Sequence, residues 1–515
     1  MARRWFIVSL LLTLCAAVLP AAGSTTGAAP PITAANEYVP DVPAAPLGDF
    51  MGMVARDPHY EWGTVPEKPY TVNKRFLDEM GKNLRVAGVR WVRIEIFAEE
   101  FDLNPDPDVD LRGMVDVAKY DYFINTVAPD NGLKVLALLA TPLVRDRNGF
   151  YQNPELLEAP SDDPPSDDPL ACGKPENGSR YPYGCGTNTY MRTWLENALT
   201  VANAFPYKPA TSSTKGSGIA AFEVLNEENR YLNGGGKGLK PESVATLLTK
   251  FYRVHKQGGT AQLPVTGNRD AVKIILGGIH PDRCDDCTRN ADGTRMNDRQ
   301  YLNAVYKSSA FQHYAPGNVF PLDGVGYHPY PTEMQASFVP EGPEESQHGY
   351  YHLFRIPQRL NEMRNVMVQN GDLGNKLWIT EMGDRGAPAL SGSSADPALP
   401  NEGRQADFLR QAYWMLWLKR ASVENVFWFK YEDFAVPNDS PSVGNWNFGL
   451  VRLVPRPSTE PCAQPIPVPD PASRQSCDYS TAGTVQHYKL SYNTYQTIAE
   501  QGFNLYRTRL PIMSR

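Results

Sequence analysis

The stretch Leu377-Trp378-Ile379-Thr380-Glu381-Met382-Gly383 carries an apolar run into a carboxylate and then a glycine. Earlier in the chain, Phe222-Glu223-Val224-Leu225-Asn226-Glu227-Glu228-Asn229 has the same plan. Continuous apolar runs of this length mark strands buried on both faces of a parallel sheet. The chain offers eight candidate strands, several of them such runs: Asp49–Val54, Trp91–Phe97, Lys134–Ala140, Ala220–Asn226, Lys273–Ile279, Gly324–Tyr330, Leu377–Glu381 and Asn425–Tyr431. Helical patterns alternate with them at Asn73–Ala87, Lys119–Asn131, Tyr190–Ala204, Glu242–Gln257, Asp298–Ser309, Gln358–Asn370, Gly403–Arg420 and Gln486–Gln501. Eight strands, each with a helix after it, predict an α/β protein of the closed (β/α)₈ TIM-barrel kind rather than an open doubly wound sheet.

Long excursions come after the third, fifth, sixth, seventh and eighth strands, the longest being Thr141–Asn188 and Asp433–Thr484. All leave the C-terminal ends of strands, where barrel enzymes build their sites. The seven cysteines divide into Cys15 and three close pairs: Cys172 with Cys185, Cys284 with Cys287, and Cys462 with Cys477. Each pair lies inside one excursion, so three loop-stapling disulfides are expected, stiffening the rim of a cleft. Cys284-Asp285-Asp286-Cys287 has neither a thioredoxin-like context nor a second pair at zinc spacing.

The N-terminus supports an oxidising destination. Arg3 and Arg4 precede the apolar run Trp5–Leu19, and the small residues of Pro20-Ala21-Ala22-Gly23 come next. That pattern predicts a signal peptide over 1–23, then a flexible Ala/Pro/Thr-rich leader over 24–46, with 47–515 as one domain. The apolar run is short for a membrane span, so stable insertion is not expected, and a secreted, periplasmic or cell-surface monomer is. Net charge is −7, or −9 without Arg3 and Arg4 (48 basic against 57 acidic residues), which gives no footprint for nucleic acid.

The two glutamates carry the chemistry. A carboxylate where an apolar strand meets its loop is costly to desolvate unless it is partnered or used. Two of them across one barrel mouth are what glycosidic hydrolysis requires: one acid protonates the leaving oxygen while the other attacks the anomeric carbon. The ionised nucleophile keeps its neighbour protonated until the glycosyl-enzyme forms, after which the same group activates water.

At these residues the sequence resembles glycoside hydrolase clan A, barrel enzymes with catalytic glutamates on strands four and seven. The resemblance implies Glu227 as acid/base, Asn226 as donor to the sugar 2-hydroxyl and Glu381 as nucleophile. It further implies Arg93 steadying the nucleophile, with Arg90 as the rival. From Gly326-Tyr327-His328-Pro329-Tyr330 it implies His328 and Tyr330 beside the glutamates, and it makes Trp428 the aromatic floor of the sugar subsite. His280, ending the fifth strand, is either a wall of the site or a loop anchor. Within the clan the lead-in Phe222-Glu223-Val224 leans toward family thirty-nine, with cellulase-like family five close behind. Glu228 stands where the clan commonly has proline, which makes it the alternative acid, and Glu223 reads as a buried, paired structural acid.

The function expected is retaining hydrolysis of an O-glycosidic bond in a poly- or oligosaccharide, with no metal or organic cofactor. The rival is a non-catalytic carbohydrate-binding protein on the same barrel. Serine-hydrolase and zincin motifs are absent from the sequence, and Gly234-Gly235-Gly236-Lys237-Gly238 lacks phosphate-loop spacing.

Overall fold

The computed structural model describes residues 47–60, 62–65, 68–72, 74–99, 113–144, 157, 183, 186–229, 238–281, 296–314, 319–331, 353–386, 402–433, 447–453 and 485–503. The expected signal and leader and most of the long excursions lie outside these residues. So do all six cysteines of the expected disulfides, namely Cys172 and Cys185, Cys284 and Cys287, and Cys462 and Cys477.

The strands, in chain order, are β1 (Met51–Val54), β2 (Trp62–Val65), β3 (Lys68–Val72), β4 (Trp91–Glu95), β5 (Lys134–Leu139), β6 (Ile219–Asn226), β7 (Lys273–Ile279), β8 (Gly324–Tyr327), β9 (Lys376–Met382), β10 (Val423–Trp428), β11 (Val451–Leu453) and β12 (Val485–Tyr488). β1 and β4 to β10 close into a barrel in the order β1-β10-β9-β8-β7-β6-β5-β4. Every neighbouring pair in it is parallel, and β1 meets both β4 (Gly52↔Trp91) and β10 (Met51↔Val426). The expected (β/α)₈ barrel is therefore the observed fold.

Alternation of side chains splits the apolar residues into two sets. Inward-facing Trp91, Leu136, Ala221, Ile275, Trp378 and Phe427 fill the barrel. Trp91 and Trp378 meet there edge to face at 5.4 Å between ring centroids. Gly324 makes room for this, since a Cβ on it would stand 2.6 Å from the Trp378 ring. The outward set packs against the helices, as with Phe222 against Phe251 at 5.4 Å.

The main helices are α1 (Lys74–Val86), α2 (Ala118–Tyr122), α3 (Ala128–Asp130), α4 (Thr189–Ala204), α5 (Pro241–Gln257), α6 (Asp298–Tyr306), α7 (Ser309–Tyr314), α8 (Arg355–Gln369), α9 (Glu402–Leu418) and α10 (Leu490–Gln501). Local sequence sets their ends. Asn188 caps α4 by accepting from the Met191 N–H, and Asn297 with Gln300 forms a capping box on α6. α5 stops at Gly258, whose φ of 104° lies in the left-handed region.

Several expected boundaries shift. Gly48–Phe50 is a 3₁₀ turn rather than the start of β1, and Asp49 pairs instead with Lys134 at 2.6 Å. The expected helix Lys119–Asn131 contains a π turn over Phe123–Val127 between α2 and α3. Asp298–Ser309 is two helices, because the Glu242 carboxylate accepts from Ser309 N–H and Oγ–H and starts α7 afresh. The final helix begins four residues late: Gln486–Tyr488 belongs to β12, which pairs antiparallel with β11. Lys489 between them is buried and donates to Asp433 Oδ1 at 2.7 Å, which fixes the break. The β2–β3 hairpin is an addition that the apolar periodicity does not signal.

Trp378→Ala removes half of the inner aromatic contact and leaves a void in the barrel. It is expected to cost about 3–5 kcal/mol of stability, read from urea unfolding with the slope unchanged. A loss below about 1 kcal/mol would mean that the barrel interior is not packed around this indole.

Candidate active site

The site begins at the end of β6, where regular alternation fails. Leu225 (φ 70°) and Glu227 (φ 48°) both occupy the left-handed region, which non-glycine residues enter at a cost of roughly 1–3 kcal/mol each. The two kinks flank Asn226 and let it and Glu227 both reach into the mouth. Gly277 permits the first kink, since a Cβ there would stand 2.1 Å from the Leu225 carbonyl oxygen. The Gly278 carbonyl accepts the Glu227 N–H at 3.0 Å, and a Cβ on Gly278 would overlap the His328 imidazole, 1.9 Å from Nε2.

Arg93, inward-facing on β4, ties the polar groups of the mouth together. Its Nε donates to Glu223 Oε2 at 2.5 Å, Nη1 to Glu381 Oε1 at 2.7 Å and Nη2 to Asn226 Oδ1 at 2.8 Å. Burial opposes the guanidinium's charge, and Glu223 and Glu381 outweigh it, so Arg93 stays cationic. Glu223 is fully buried and also accepts the Gly278 N–H at 2.9 Å, in keeping with the expectation of a paired structural acid. Arg90, the rival, is exposed, and among the described residues its Nη1 donates to the Val89 carbonyl, at 3.4 Å.

Glu381, at the end of β9, receives a second donor in Tyr330, whose hydroxyl lies 2.9 Å from Oε2. Burial and the charges of Glu381 and Glu227 hold the Tyr330 phenol well above its ordinary range, so it keeps the proton it donates. His328 bridges the two glutamates. Its Nδ1 is 3.1 Å from Glu227 Oε1 and 3.7 Å from Glu381 Oε2, while Nε2 is 3.0 Å from Thr380 Oγ1. Burial alone would lower its pKa, but Glu381 and Glu227 prevail and hold it above the usual imidazole value. Thr380 joins the site without a signal of its own in the sequence beyond its place one residue before Glu381 in the strand-end motif.

The ligating atoms of Glu227, His328 and Glu381 all lie within 4.8 Å of one another. A divalent ion would find donors here, but Arg93 and Tyr330 already occupy both oxygens of Glu381. Two facing carboxylates, one held by an arginine and a phenol and the other by a histidine, suit nucleophile and proton-donor roles better.

Two expectations meet a different arrangement. Trp428 does not floor the mouth: it is fully buried on the outer face of β10, against Phe408 of α9, with Nε1 donating to the Phe448 carbonyl at 3.2 Å. Alternation is the reason, since Phe427 and Phe429 take the inward positions on either side of it. The aromatic wall is instead Phe429, Phe448 and Tyr330, with ring centroids 5.8 and 6.3 Å apart. His280 exchanges two main-chain hydrogen bonds with the Asn229 side chain, at 2.8 and 2.9 Å, and so ties the loop after β7 to the loop after β6. These main-chain bonds are an anchor of the kind the second alternative expects.

Glu228 makes no side-chain hydrogen bond to this arrangement, although it feels the charges of Glu223, His328 and Glu227. Its carboxyl is buried, with no side-chain hydrogen-bond partner among the described residues. Burial pushes its pKa up to about 8. The group thus binds its proton more tightly folded than unfolded, so the stability it contributes is full below about pH 4.5 and is lost as pH rises to about 8. Glu228→Gln should remove that slope: relative to its difference at pH 4.5, the variant gains up to about 4 kcal/mol at pH 8. Chemical denaturation at the two pH values checks this, and a pH-independent difference would show that Glu228 titrates normally.

No protein-family model matches the chain, and no curated protein does. Solved structures similar to it include an endo-β-1,4-mannanase from Thermotoga petrophila, at 12% identity over 91% of this chain and 78% of that one, with a TM-score of 0.44. A family 1 β-glucosidase from Thermotoga maritima is also 12% identical, over 90% of this chain and 100% of that one, with a TM-score of 0.45. An endo-1,4-β-mannanase from Rhizomucor miehei is 12% identical over 78% and 89%, with a TM-score of 0.42.

Proposed function

We propose that the protein is a retaining glycoside hydrolase, with Glu381 as nucleophile and Glu227 as acid/base. The observation that carries this is the close approach of the two carboxylates, with ligating oxygens within 4.8 Å, each held by its own donors. Inverting enzymes keep their carboxyl groups roughly 6.5–9.5 Å apart to admit a water, and retaining enzymes about 5–5.5 Å.

The residues divide the work in two steps. In the first, a Glu381 oxygen bonds to the anomeric carbon as the bond to the leaving oxygen breaks, and Glu227 passes its proton to that oxygen. Arg93 and Tyr330 keep Glu381 ionised and aimed. His328, held above the usual imidazole pKa by the two carboxylates, presents its Nδ1–H to Glu227 Oε1 and leaves Oε2 to carry the acidic proton. In the second step Glu227 takes a proton from water, whose oxygen bonds to the anomeric carbon as the ester to Glu381 breaks. Asn226, clamped by Arg93, is placed to donate its amide N–H to a sugar hydroxyl.

Poly- or oligosaccharide is the substrate class we favour, and export is part of the same proposal. The apolar run Trp5–Leu19 and the six later cysteines in three close pairs support export. Among the described residues no helix is long and apolar enough to cross a membrane.

On a panel of aryl glycosides and polysaccharides, Glu381→Gln should lower kcat roughly 10⁴-fold or more. NMR of the first product should show the anomeric configuration retained. Glu227→Ala should slow substrates with poor leaving groups far more than activated aryl glycosides, whose departure needs no proton. Inversion, or undiminished turnover by Glu381→Gln, would sink the mechanism, and a wild type that binds sugars without cleaving them would leave a carbohydrate-binding protein.

A further inference from the structure

The catalytic groups occupy the β6, β8 and β9 side of the mouth, fastened by Arg93 from β4. Two residues on from Arg93, Glu95 ends the same strand, and alternation points it into the same mouth. Glu95 is partly open to solvent, and its carboxyl has no hydrogen bond or ion pair among the described residues. Arg93 gives it charge but no hydrogen bond: the bonds from Nε, Nη1 and Nη2 go to Glu223, Glu381 and Asn226. Its backbone is nonetheless pinned: the Glu95 N–H donates to Asp57 Oδ1, on the loop after β1, at 2.6 Å. A largely desolvated carboxyl with no partner among the described residues, beside the reacting groups, is costly unless something else supplies the partner.

We infer that Glu95 is a specificity-determining residue of this mouth, positioned by Asp57, which binds hydroxyls of a neutral glycosyl residue next to the bond attacked by Glu381. The inference rests on the hydrolase reading. Its chemistry comes from the groups that face Glu95. Burial and the charge of Asp57, with smaller pushes from Glu381 and Glu223, raise Glu95 to about 8, against the pull of Arg93. Asp57 is itself raised to about 6 by burial and Glu432, opposed by the Glu95 N–H, Lys430 and Arg93. Near neutrality Glu95 therefore keeps its proton, with one O–H to donate and an oxygen to accept, which matches a pair of sugar hydroxyls. A uronic acid would instead set its carboxylate near Glu381, Glu223 and Asp57, and is disfavoured.

The test is oligosaccharide binding to Glu381→Gln, measured by calorimetry with and without a change at Glu95, together with steady-state kinetics in the wild-type background. Glu95→Ala should weaken binding roughly 10- to 100-fold and raise KM by a similar factor, with kcat changed only a few-fold. Glu95→Gln, which still donates and accepts, should stay within about threefold of the parent and guards against misfolding of the alanine variant. Neutral oligosaccharides should bind more tightly than uronic-acid ones of equal length. Unchanged KM and binding in Glu95→Ala, with turnover intact, would overturn this inference alone. Glu95-dependent sugar binding by a wild type that cleaves nothing would overturn the hydrolase reading and leave this one standing.

Discussion

The guanidinium of Arg93 donates to oxygens on Glu223, Asn226 and Glu381, and the geometry of the mouth depends on those three bonds. A buried cation is tolerable only when paired and hydrogen-bonded, and two buried acids face the same requirement. Each side thus compensates the desolvation of the other. The bonds also join β4 to β6 and β9, strands that are not its neighbours in the sheet, through the barrel interior. The position of the nucleophile is therefore set by charge compensation in the core as well as by its own loop.

Other costs collect at the end of β6. Leu225 and Glu227 hold left-handed backbone, and Glu228 buries a carboxyl with no hydrogen-bond partner among the described residues. None of these helps the fold, and in an ordinary strand end each would be relieved by a glycine or an apolar residue. Their concentration around the residue that faces Glu381 is what a site kept for its chemistry looks like. The surrounding barrel absorbs the cost through two well-packed apolar layers, one inside the strands and one beneath the helices.

The barrel is legible in the sequence because several of its strands are continuous apolar runs, and a run buried on both faces leaves a clear trace. Arg93, Asn226, Glu227, His328, Tyr330 and Glu381 can be named as a group because each stands toward the C-terminal end of such a run, and the structure gathers them within one mouth. Trp428 misleads because a run that is apolar throughout conceals which residues face in; register irregularities between β9 and β10 add to this. Thr380 and Glu95 give no signal, since their importance lies in what they touch or leave untouched. The split of the Asp298–Ser309 segment depends on Glu242, a residue distant in sequence, which no local pattern reports. The expected disulfides of Cys172 with Cys185, Cys284 with Cys287 and Cys462 with Cys477 fall outside the described residues, as do most of the long rim excursions.

The pairing of β1 with β10, Met51 opposite Val426, has a consequence for how the chain is made. Synthesis delivers β1 first and its closing partner last, and Tyr495 of α10 then donates to the Gly52 carbonyl from still further along. Until those segments emerge, a nascent barrel presents an unpaired parallel edge, a template for wrong partners. Such long-range closure is slow compared with helix formation. The interval before closure is when the chain is most exposed to wrong pairing.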